Sequence, residues 1–237
     1  MGRAVYLIVA ALAVSLVHPA QAGFGFFGDS GSFIIIDFGN GNEYFSLGPS
    51  TSPNESFNGK LLNENNIVGQ KPFVRGLDRL ILNGFQNNTF ENGGDNVLTA
   101  HLNYRVYKQG ETPGDFLTLD FNQFSSLPNP GDERHEITDA GLNLLNMVPG
   151  TTGTYFLEAY AWAKIDYASD PDLLPDNDVI WAGPAGTIYK SAGGSPPVGL
   201  FTAKFVVEYI PEPNTAALLG IGVLVIRSVR KKIKPLA

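Results

Sequence analysis

The sequence predicts an all-β domain, an antiparallel β-sandwich or jelly roll, flanked by an N-terminal signal helix and a short C-terminal hydrophobic helix. Apolar and polar residues alternate along several segments in the middle of the chain, which is typical of half-buried strands. Turn-forming residues separate these segments, and the 237 residues include 27 glycines and 16 prolines. Many short strands joined by such turns favour a sandwich or barrel over a helical protein.

The strand predictions depend on side chains pointing alternately to the two faces of a sheet. The longest alternating segments are residues 97–107, 153–167 and 201–209. In the first of these, Leu98 and Leu102 are expected on the same buried face. Shorter strands are predicted at residues 33–38, 77–82, 116–121, 179–181 and 186–189.

Turns and irregular segments are predicted between the strands. Residues 139–146 predict one short helical turn, ahead of Pro149 and Gly150. Residues 48–72 are rich in asparagine, serine and proline, which predicts a long loop. Clusters of turn-forming residues lie at 39–42, 92–95, 128–132 and 191–195.

Residues 1–22 predict a cleavable secretory signal peptide. Arg3 supplies a positive charge, residues 4–17 are apolar with one serine, and Ala20 and Ala22 place small side chains at a signal peptidase site. We therefore expect export through the Sec translocon and cleavage by signal peptidase after Ala22. A retained transmembrane anchor is the alternative, for which the apolar run is short against a hydrocarbon core of about 30 Å.

Residues 210–237 combine a proline-rich segment, an apolar run and a basic end. Pro211 and Pro213 flank Glu212 and keep the backbone extended, hence accessible to a protease. Residues 215–226 carry no charge, and a helix over them would be about 18 Å long, short for a bilayer. The large apolar side chains of this run are Leu218, Leu219, Ile221, Val223, Leu224, Val225 and Ile226.

A basic cluster follows the apolar run and would hold the cytoplasmic side of the membrane. Its members are Arg227, Arg230, Lys231 and Lys232. The pattern predicts a weak stop-transfer segment, and an ordinary C-terminal membrane anchor is the alternative.

The ordered set of signal peptide, Pro211-Glu212-Pro213, apolar run and basic cluster resembles a protein with a PEP-CTERM sorting signal. The resemblance implies recognition by exosortase, a membrane-embedded cysteine protease, after transient anchoring in the inner membrane of a Gram-negative bacterium. It also implies cleavage near the motif and delivery to the cell surface or the exopolysaccharide matrix. It covers roughly the last 25 residues and implies nothing about residues 23–209.

Charge and cysteine content exclude several classes of function. Residues 23–211 carry ten basic and 22 acidic residues, a formal charge of −12. This charge repels nucleic acid, and it also repels acidic exopolysaccharide unless cations intervene. The chain has no cysteine, which excludes disulfides, a thiolate nucleophile and cysteine-ligated zinc.

One segment resembles part of a hydrolase site. Gly28-Asp29-Ser30 is similar to the block that opens GDSL-type esterases, and Asp132 and His135 could complete a Ser/His/Asp set. In that family the serine begins a helix in a doubly wound α/β fold, whereas Ser30 precedes a predicted strand. We therefore expect a glycine turn and a charged loop, and no catalytic activity.

An acidic loop is a candidate calcium site. Oxygen ligands clustered in a loop can bind calcium, but the spacing lacks the glycine and terminal glutamate of an EF-hand. A solvated acidic loop without a cofactor is the expectation. The carboxylates concerned are Asp170, Asp172, Asp176 and Asp178.

Three aromatic residues on predicted strands, Tyr160, Trp162 and Trp181, are candidates for a sugar-stacking platform. Tryptophan in a strand is usually buried, so the exposure of this face decides whether a sugar ring could stack on it. His101 lies on the polar side of its strand and is expected at the surface rather than as a ligand.

The sequence thus predicts three parts: a signal peptide at residues 1–22, a β-domain at 23–209 and a sorting signal at 210–237. The predicted function is a non-catalytic exported protein with a structural or adhesive role at the cell surface or in the matrix. A carbohydrate-binding module is the alternative, and an exported GDSL-like esterase using Ser30 and His135 is less favoured.

Overall fold

A computed structural model describes residues 23–26, 32–47, 55–66, 69–92, 96–166, 178–183, 186–190 and 200–210. These residues are mostly in β-strands, which confirms the all-β class. Two 3₁₀ turns lie at Leu62–Asn65 and Leu144–Asn146. In the described part of the chain, no helix is long and apolar enough to span a bilayer. The described strands are β1 (Gly23–Phe26), β2 (Ser32–Asp37), β3 (Asn42–Ser46), β4 (Phe73–Val74), β5 (Ile81–Asn92), β6 (Asn96–Lys108), β7 (Leu117–Asp120), β8 (Gln123–Ser126), β9 (Asp132–Ile137), β10 (Leu142–Asn143), β11 (Gly153–Asp166), β12 (Asp178–Gly183), β13 (Gly186–Lys190) and β14 (Phe201–Glu208).

The first sheet is organised around β5, in the order β3-β2-β5-β9-β8. Strand β5 has 12 residues, so each of its edges meets two partners in succession. One edge pairs with β2 and then β1, and the other with β10 and then β9. All these pairs are antiparallel.

The second sheet is organised around β11, which has 14 residues. One edge of β11 pairs with β6 along its length, and β6 pairs in turn with β7. The other edge pairs first with β14 and then with β12, which forms a hairpin with β13. The two-residue strand β4 joins the outer edge of β14 in parallel orientation.

Buried side chains from both sheets form one hydrophobic core. The first sheet contributes residues such as Ile34 and Phe85, and the second contributes Leu102, Leu157 and Phe205. The predicted alternation in β11 is confirmed, since its inward positions from residue 155 to residue 165 are all buried. The alternation in β14 is confirmed in the same way.

The predicted position of Leu98 is wrong. Leu98 is 38% exposed, and its neighbour Val97 is buried instead. The pairing of β6 with β11 shifts register here, because Lys164 lies opposite Thr99 while Ile165 lies opposite Val97. Leu98 is therefore the extra residue of a β-bulge, and one extra residue moves the preceding side chains to the other face.

The strand predicted at residues 77–82 is also misplaced, because β5 begins at Ile81 and continues to Asn92. A bulge next to Gly84 sets its register against β2. Gly84 has a φ of 154°, and a Cβ atom there would lie 1.8 Å from the carbonyl oxygen of Ile137. Only glycine fits this close approach to β9.

The segment predicted as a long loop is partly ordered against the second sheet. Its 3₁₀ turn at Leu62–Asn65 buries Leu62, and the Asn63 amide nitrogen donates to the carbonyl oxygens of Lys71 and Val206. The predicted helical turn at residues 139–146 is shorter than expected, because β10 occupies Leu142–Asn143 and only Leu144–Asn146 is helical.

Candidate functional site

Polar and aromatic side chains line the face of β6 and β11 that points away from the core. They form four cross-strand pairs whose members lie opposite each other in the register of the two strands. We call these pairs the outer ladder: Tyr107–Phe156, Arg105–Glu158, Asn103–Tyr160 and His101–Trp162.

An ion pair forms the centre of the outer ladder. The Nη2 and Nε atoms of Arg105 lie 2.6 and 2.7 Å from Oε2 of Glu158, and Glu158 is buried. The Tyr107 hydroxyl donates to the other carboxylate oxygen at 2.7 Å. Burial, followed by this hydrogen bond, raises the pKa of Tyr107 to about 12, so the phenol stays protonated and can donate.

The segment before β7 covers this ion pair from outside the sheet. Arg105 Nη1 donates to the carbonyl oxygen of Gly114, and its guanidinium carbon lies 4.1 Å from the centre of the Phe116 ring. Phe116 also meets Tyr160 edge-to-face, with ring centres 5.0 Å apart. The middle of the ladder is therefore a covered, hydrogen-bonded network.

The sugar platform predicted from Tyr160 and Trp162 is only partly accessible. Tyr160 is 4% exposed, and its hydroxyl accepts a hydrogen bond from Asn103 Nδ2 at 2.6 Å. Trp162 is half-buried, donates from Nε1 to Asn103 Oδ1, and stacks on His101 with ring centres 4.1 Å apart. Of these two rings, Trp162 is the one that is partly exposed to solvent.

His101 is half-buried and links a hydroxyl to a carboxylate. Its Nδ1 lies 2.6 Å from Asp120 Oδ1, and its Nε2 lies 2.9 Å from Thr99 Oγ1. A hydrolase arranges a hydroxyl, an imidazole and a carboxylate in this order, but in a site shielded from water. The Asp120 side chain is 75% exposed, so Thr99, His101 and Asp120 form a hydrogen-bond network at the surface.

The predicted esterase residues do not come together. Asp132 and His135 are three residues apart in β9, so their side chains lie on opposite faces of the sheet. Asp132 accepts a hydrogen bond from Asn129, and the His135 imidazole instead lies 3.1 Å from Glu133. Ser30 is outside the described residues.

Sequence reasoning missed a second cluster of polar side chains, which lies on the core-facing side of the first sheet. Ser32, Asn87 and His135 are successive cross-strand partners on β2, β5 and β9, and Thr89 lies opposite Glu133 in the neighbouring row. We call these five side chains the interior polar row. All except Glu133 are buried.

Five buried atoms of this row have no hydrogen-bond partner among the residues that the structure describes. They are Ser32 Oγ, both amide atoms of Asn87, Thr89 Oγ1 and His135 Nδ1. A buried polar group without a partner costs about 1–3 kcal/mol, so these atoms lower the stability of the first sheet.

Burial also keeps the row close to neutral. It lowers the pKa of His135 to about 4, with a smaller contribution from His101. It raises the pKa of Glu133 to about 7, with a further contribution from the charge of Glu91. No group of three potential metal ligands occurs in the described part of the chain.

Several predicted site residues lie outside the described residues. These are Ala20, Ala22, Asp170, Asp172, Asp176, the Pro211-Glu212-Pro213 motif, the apolar run and the basic cluster. Asp178 and Trp181 lie in β12, where their backbones pair with Ile165 and Trp162 of β11.

No protein-family model, curated protein or solved structure matches this chain.

Proposed function

We propose that this chain is a non-catalytic exported protein of a Gram-negative bacterium, sorted to the cell surface or the exopolysaccharide matrix, where its β-domain is structural or adhesive. The observation that carries the proposal is the order of segments along the chain: a signal peptide, a β-domain, Pro211-Glu212-Pro213, an apolar run and a basic cluster. The Sec translocon and signal peptidase would act first, and exosortase would then act at the tail, which resembles a PEP-CTERM signal.

The positions of the strands support both proposed cleavages. β1 begins at Gly23, the residue that would follow signal cleavage, and β14 ends at Glu208, before the proline motif. Cleavage at either position leaves every described strand whole. The product would keep its core, including Val207, the last buried residue of β14.

We also propose that the two sheets pack face to face as a β-sandwich. The support is the single core to which both sheets contribute large side chains. The absence of catalysis is proposed on two grounds from the described residues. Asp132 and His135 lie on opposite faces of β9, and the carboxylate beside His101 is open to water.

Binding of matrix carbohydrate is a second candidate, favoured by one observation. Trp162 and His101 form a half-buried stack beside the exposed carboxylate of Asp120. An aromatic surface next to a polar group that can orient hydroxyls is the usual composition of a sugar site. Loss of binding on a glycan array in Trp162→Ala, with binding kept in Tyr44→Ala, would support this role. Tyr44 is an exposed aromatic residue of the other sheet.

The sorting proposal is tested by expressing the chain in a host with exosortase and in the same host lacking it. We expect release to the surface in the first host and retention in the inner membrane in the second. Glu212→Gln should be retained in both hosts if the carboxylate is recognised. Glu208→Gln is the matched control, because this exposed residue is held in β14 through its backbone. Equal release from both hosts would contradict the proposal.

A further inference from the structure

The domain has a mixed apolar and basic surface at the end where the chain leaves β14. Three segments meet there: the turn after β4, the segment after the second 3₁₀ turn, and the two residues that follow β14. We call this surface the exit end; its residues are Arg75, Leu77, Arg79, Met147, Tyr209 and Ile210.

Backbone pairing and close contacts bring these segments together. β4 runs parallel to β14 with Val74 opposite Glu208, so the chain leaves both strands in the same direction. A Cβ atom on Gly150 would lie 3.4 Å from the Tyr209 ring and 3.5 Å from the Arg75 guanidinium. Gly150, Tyr209 and Arg75 are therefore close together. The Tyr209 amide also donates to Thr152 Oγ1.

Four large apolar side chains of the exit end are exposed to solvent. Leu77 is 76% exposed and Ile210 is 53% exposed, and Met147 and Tyr209 are also exposed. Leu77 is the most exposed large apolar residue in the described part of the chain. Exposed apolar residues on neighbouring segments at one end of a domain are suited to contact with another apolar phase.

The exit end is also less acidic than the rest of the domain. Arg75 and Arg79 lie on it, and Lys108 is nearby, with its ammonium 3.3 Å from Thr151. Asp78, Glu208 and Glu111, which lies in the turn after Lys108, offset these three charges, which leaves this end close to neutral in a domain with a formal charge of −12. An anionic membrane surface would therefore repel this end less than a surface with the average charge of the domain.

The length of the connection to the tail limits where the exit end can be. Residues 211–214 join Ile210 to the apolar run that begins at residue 215. Even fully extended, this connection spans about 17 Å. A domain of this size has a radius of gyration of about 16 Å, so its far end could not approach the membrane as closely.

We propose that the exit end is a lipid-contact surface. Leu77, Tyr209 and Ile210 rest in the interfacial region of the inner membrane, and Arg75 and Arg79 pair with lipid phosphates until the tail is cut. Tyrosine and arginine suit this interface because each has an apolar part and a polar tip. The inference rests on the proposed function, since it requires the apolar run to be in the membrane.

A consequence is that the proline motif is held at the membrane surface. With the domain resting on lipid, Pro211-Glu212-Pro213 lies at headgroup level, within reach of a membrane-embedded protease. After cleavage the few apolar residues of the exit end are too weak an anchor to hold the domain by themselves. The same contact would therefore assist processing without preventing release.

The chain has no cysteine, so a fluorescent label can be placed at a single introduced cysteine. Uncut protein from an exosortase-deficient host is reconstituted into vesicles of phosphatidylcholine and phosphatidylglycerol, with nitroxide-labelled lipids as quenchers. The labelled variants are Leu77→Cys, Phe124→Cys and Leu219→Cys. Phe124 is the matched control, because it is exposed but far from the exit end. It lies opposite His135 of β9, which lies opposite Asn87 of β5. Asn87 is about 23 Å along the chain direction of β5 from Leu80, the neighbour of Arg79 in the exit end.

We expect headgroup nitroxides to quench the label at position 77 at least threefold more than the label at 124. Acyl-chain nitroxides should quench the label at 219. Equal quenching at 77 and 124, with 219 quenched, would overturn the lipid contact and leave the sorting proposal intact. An unquenched label at 219 would contradict the membrane segment, and with it both proposals.

The arginine contribution is tested in the Leu77→Cys background. Arg75→Gln combined with Arg79→Gln should reduce headgroup quenching at position 77 about twofold or more in anionic vesicles. Arg134→Gln in β9 is the matched control and should leave the quenching unchanged, provided that circular dichroism shows a folded domain. Unchanged quenching in the double variant would overturn the proposed pairing with phosphate.

Discussion

Replacing Glu158 by leucine is expected to destabilise the domain strongly, because it leaves two partners behind. Arg105 loses its ion pair while it remains covered by Phe116, and the Tyr107 hydroxyl loses its acceptor while its ring stays packed against Phe156. Breaking a buried ion pair costs about 3–5 kcal/mol. The Arg105 side chain retains one-fifth exposure, so we expect a loss of about 3 kcal/mol.

The assay is urea unfolding followed by circular dichroism, with thermal unfolding beside it. A loss of about 3 kcal/mol corresponds to a fall in Tm of about 6–12 °C for a domain of this size. Removing both charges should restore stability, because two apolar side chains of similar shape replace a desolvated pair. We therefore expect Glu158→Leu combined with Arg105→Met to recover at least half of the loss in a double-mutant cycle.

Surface ion pairs give a clear contrast to this result. An exposed pair contributes about 0–1 kcal/mol, and its two mutations are nearly additive. A loss below about 1 kcal/mol for Glu158→Leu, with no coupling to Arg105, would refute the burial of this pair and the covering role of the segment before β7.

Three further predictions concern the first sheet and its connections. Asn87→Leu should leave the free energy of unfolding unchanged or raise it by up to about 1 kcal/mol, because the buried amide has no partner among the described residues. Its control is Asn63→Leu, which should cost about 2–3 kcal/mol because the Asn63 side chain loses its hydrogen bonds to β14 of the second sheet. Gly84→Ala should cost more than about 3 kcal/mol, because its methyl group meets the backbone of β9. Between about pH 4.5 and 6.5 the pH-dependent contributions of Glu133 and His135 to the free energy of unfolding should cancel. In Glu133→Gln, the free energy of unfolding should rise with pH over this range by up to about 1.4 kcal/mol per pH unit.

The sign of the pH effect follows from proton binding in the two states. The pKa of Glu133 is raised on folding, so its contribution is present at low pH and is lost as pH rises through about 7. The pKa of His135 is lowered, so its contribution is present above about 6.5 and is lost as pH falls through about 4. With glutamine at position 133, only the histidine contribution of this pair remains, and it should raise stability between about pH 4 and pH 6.5.

Each of these predictions has a result that contradicts it. Gly110→Ala is the control for Gly84→Ala, since Gly110 also has a positive φ but has no atom within 4 Å of the position that a methyl group would occupy. Equal losses at the two glycines would contradict the close approach of β5 to β9. A large loss in Asn87→Leu would show that the amide has partners, and a flat pH profile in Glu133→Gln would contradict the burial of His135.

The strands that could be predicted from sequence have one face in the core and one face in contact with polar groups. In β11 every second residue from Tyr155 to Ile165 is apolar, and the pattern is visible without any structure. In β5 the inward positions after Phe85 are Asn87 and Thr89, so the interior polar row removes the apolar signal from a central strand. The same reason hides β9, whose inward positions include His135.

The outer ladder shows a different limit. Tyr160 and Trp162 could be selected from sequence as aromatic residues on one face of a strand. Their accessibility could not, because Asn103 lies opposite Tyr160 only through the register of β6 against β11. Pairing register is a long-range property, and the bulge at Leu98 shows how one inserted residue changes it.

The most direct test of the central claim is the intact mass of the protein recovered from the cell surface. Two-ended processing predicts a chain that begins at Gly23 and ends near the proline motif, without Arg227 and every residue after it. A surface protein whose mass includes Ala237, or a full chain beginning at Met1 in the cytosol, would contradict the account.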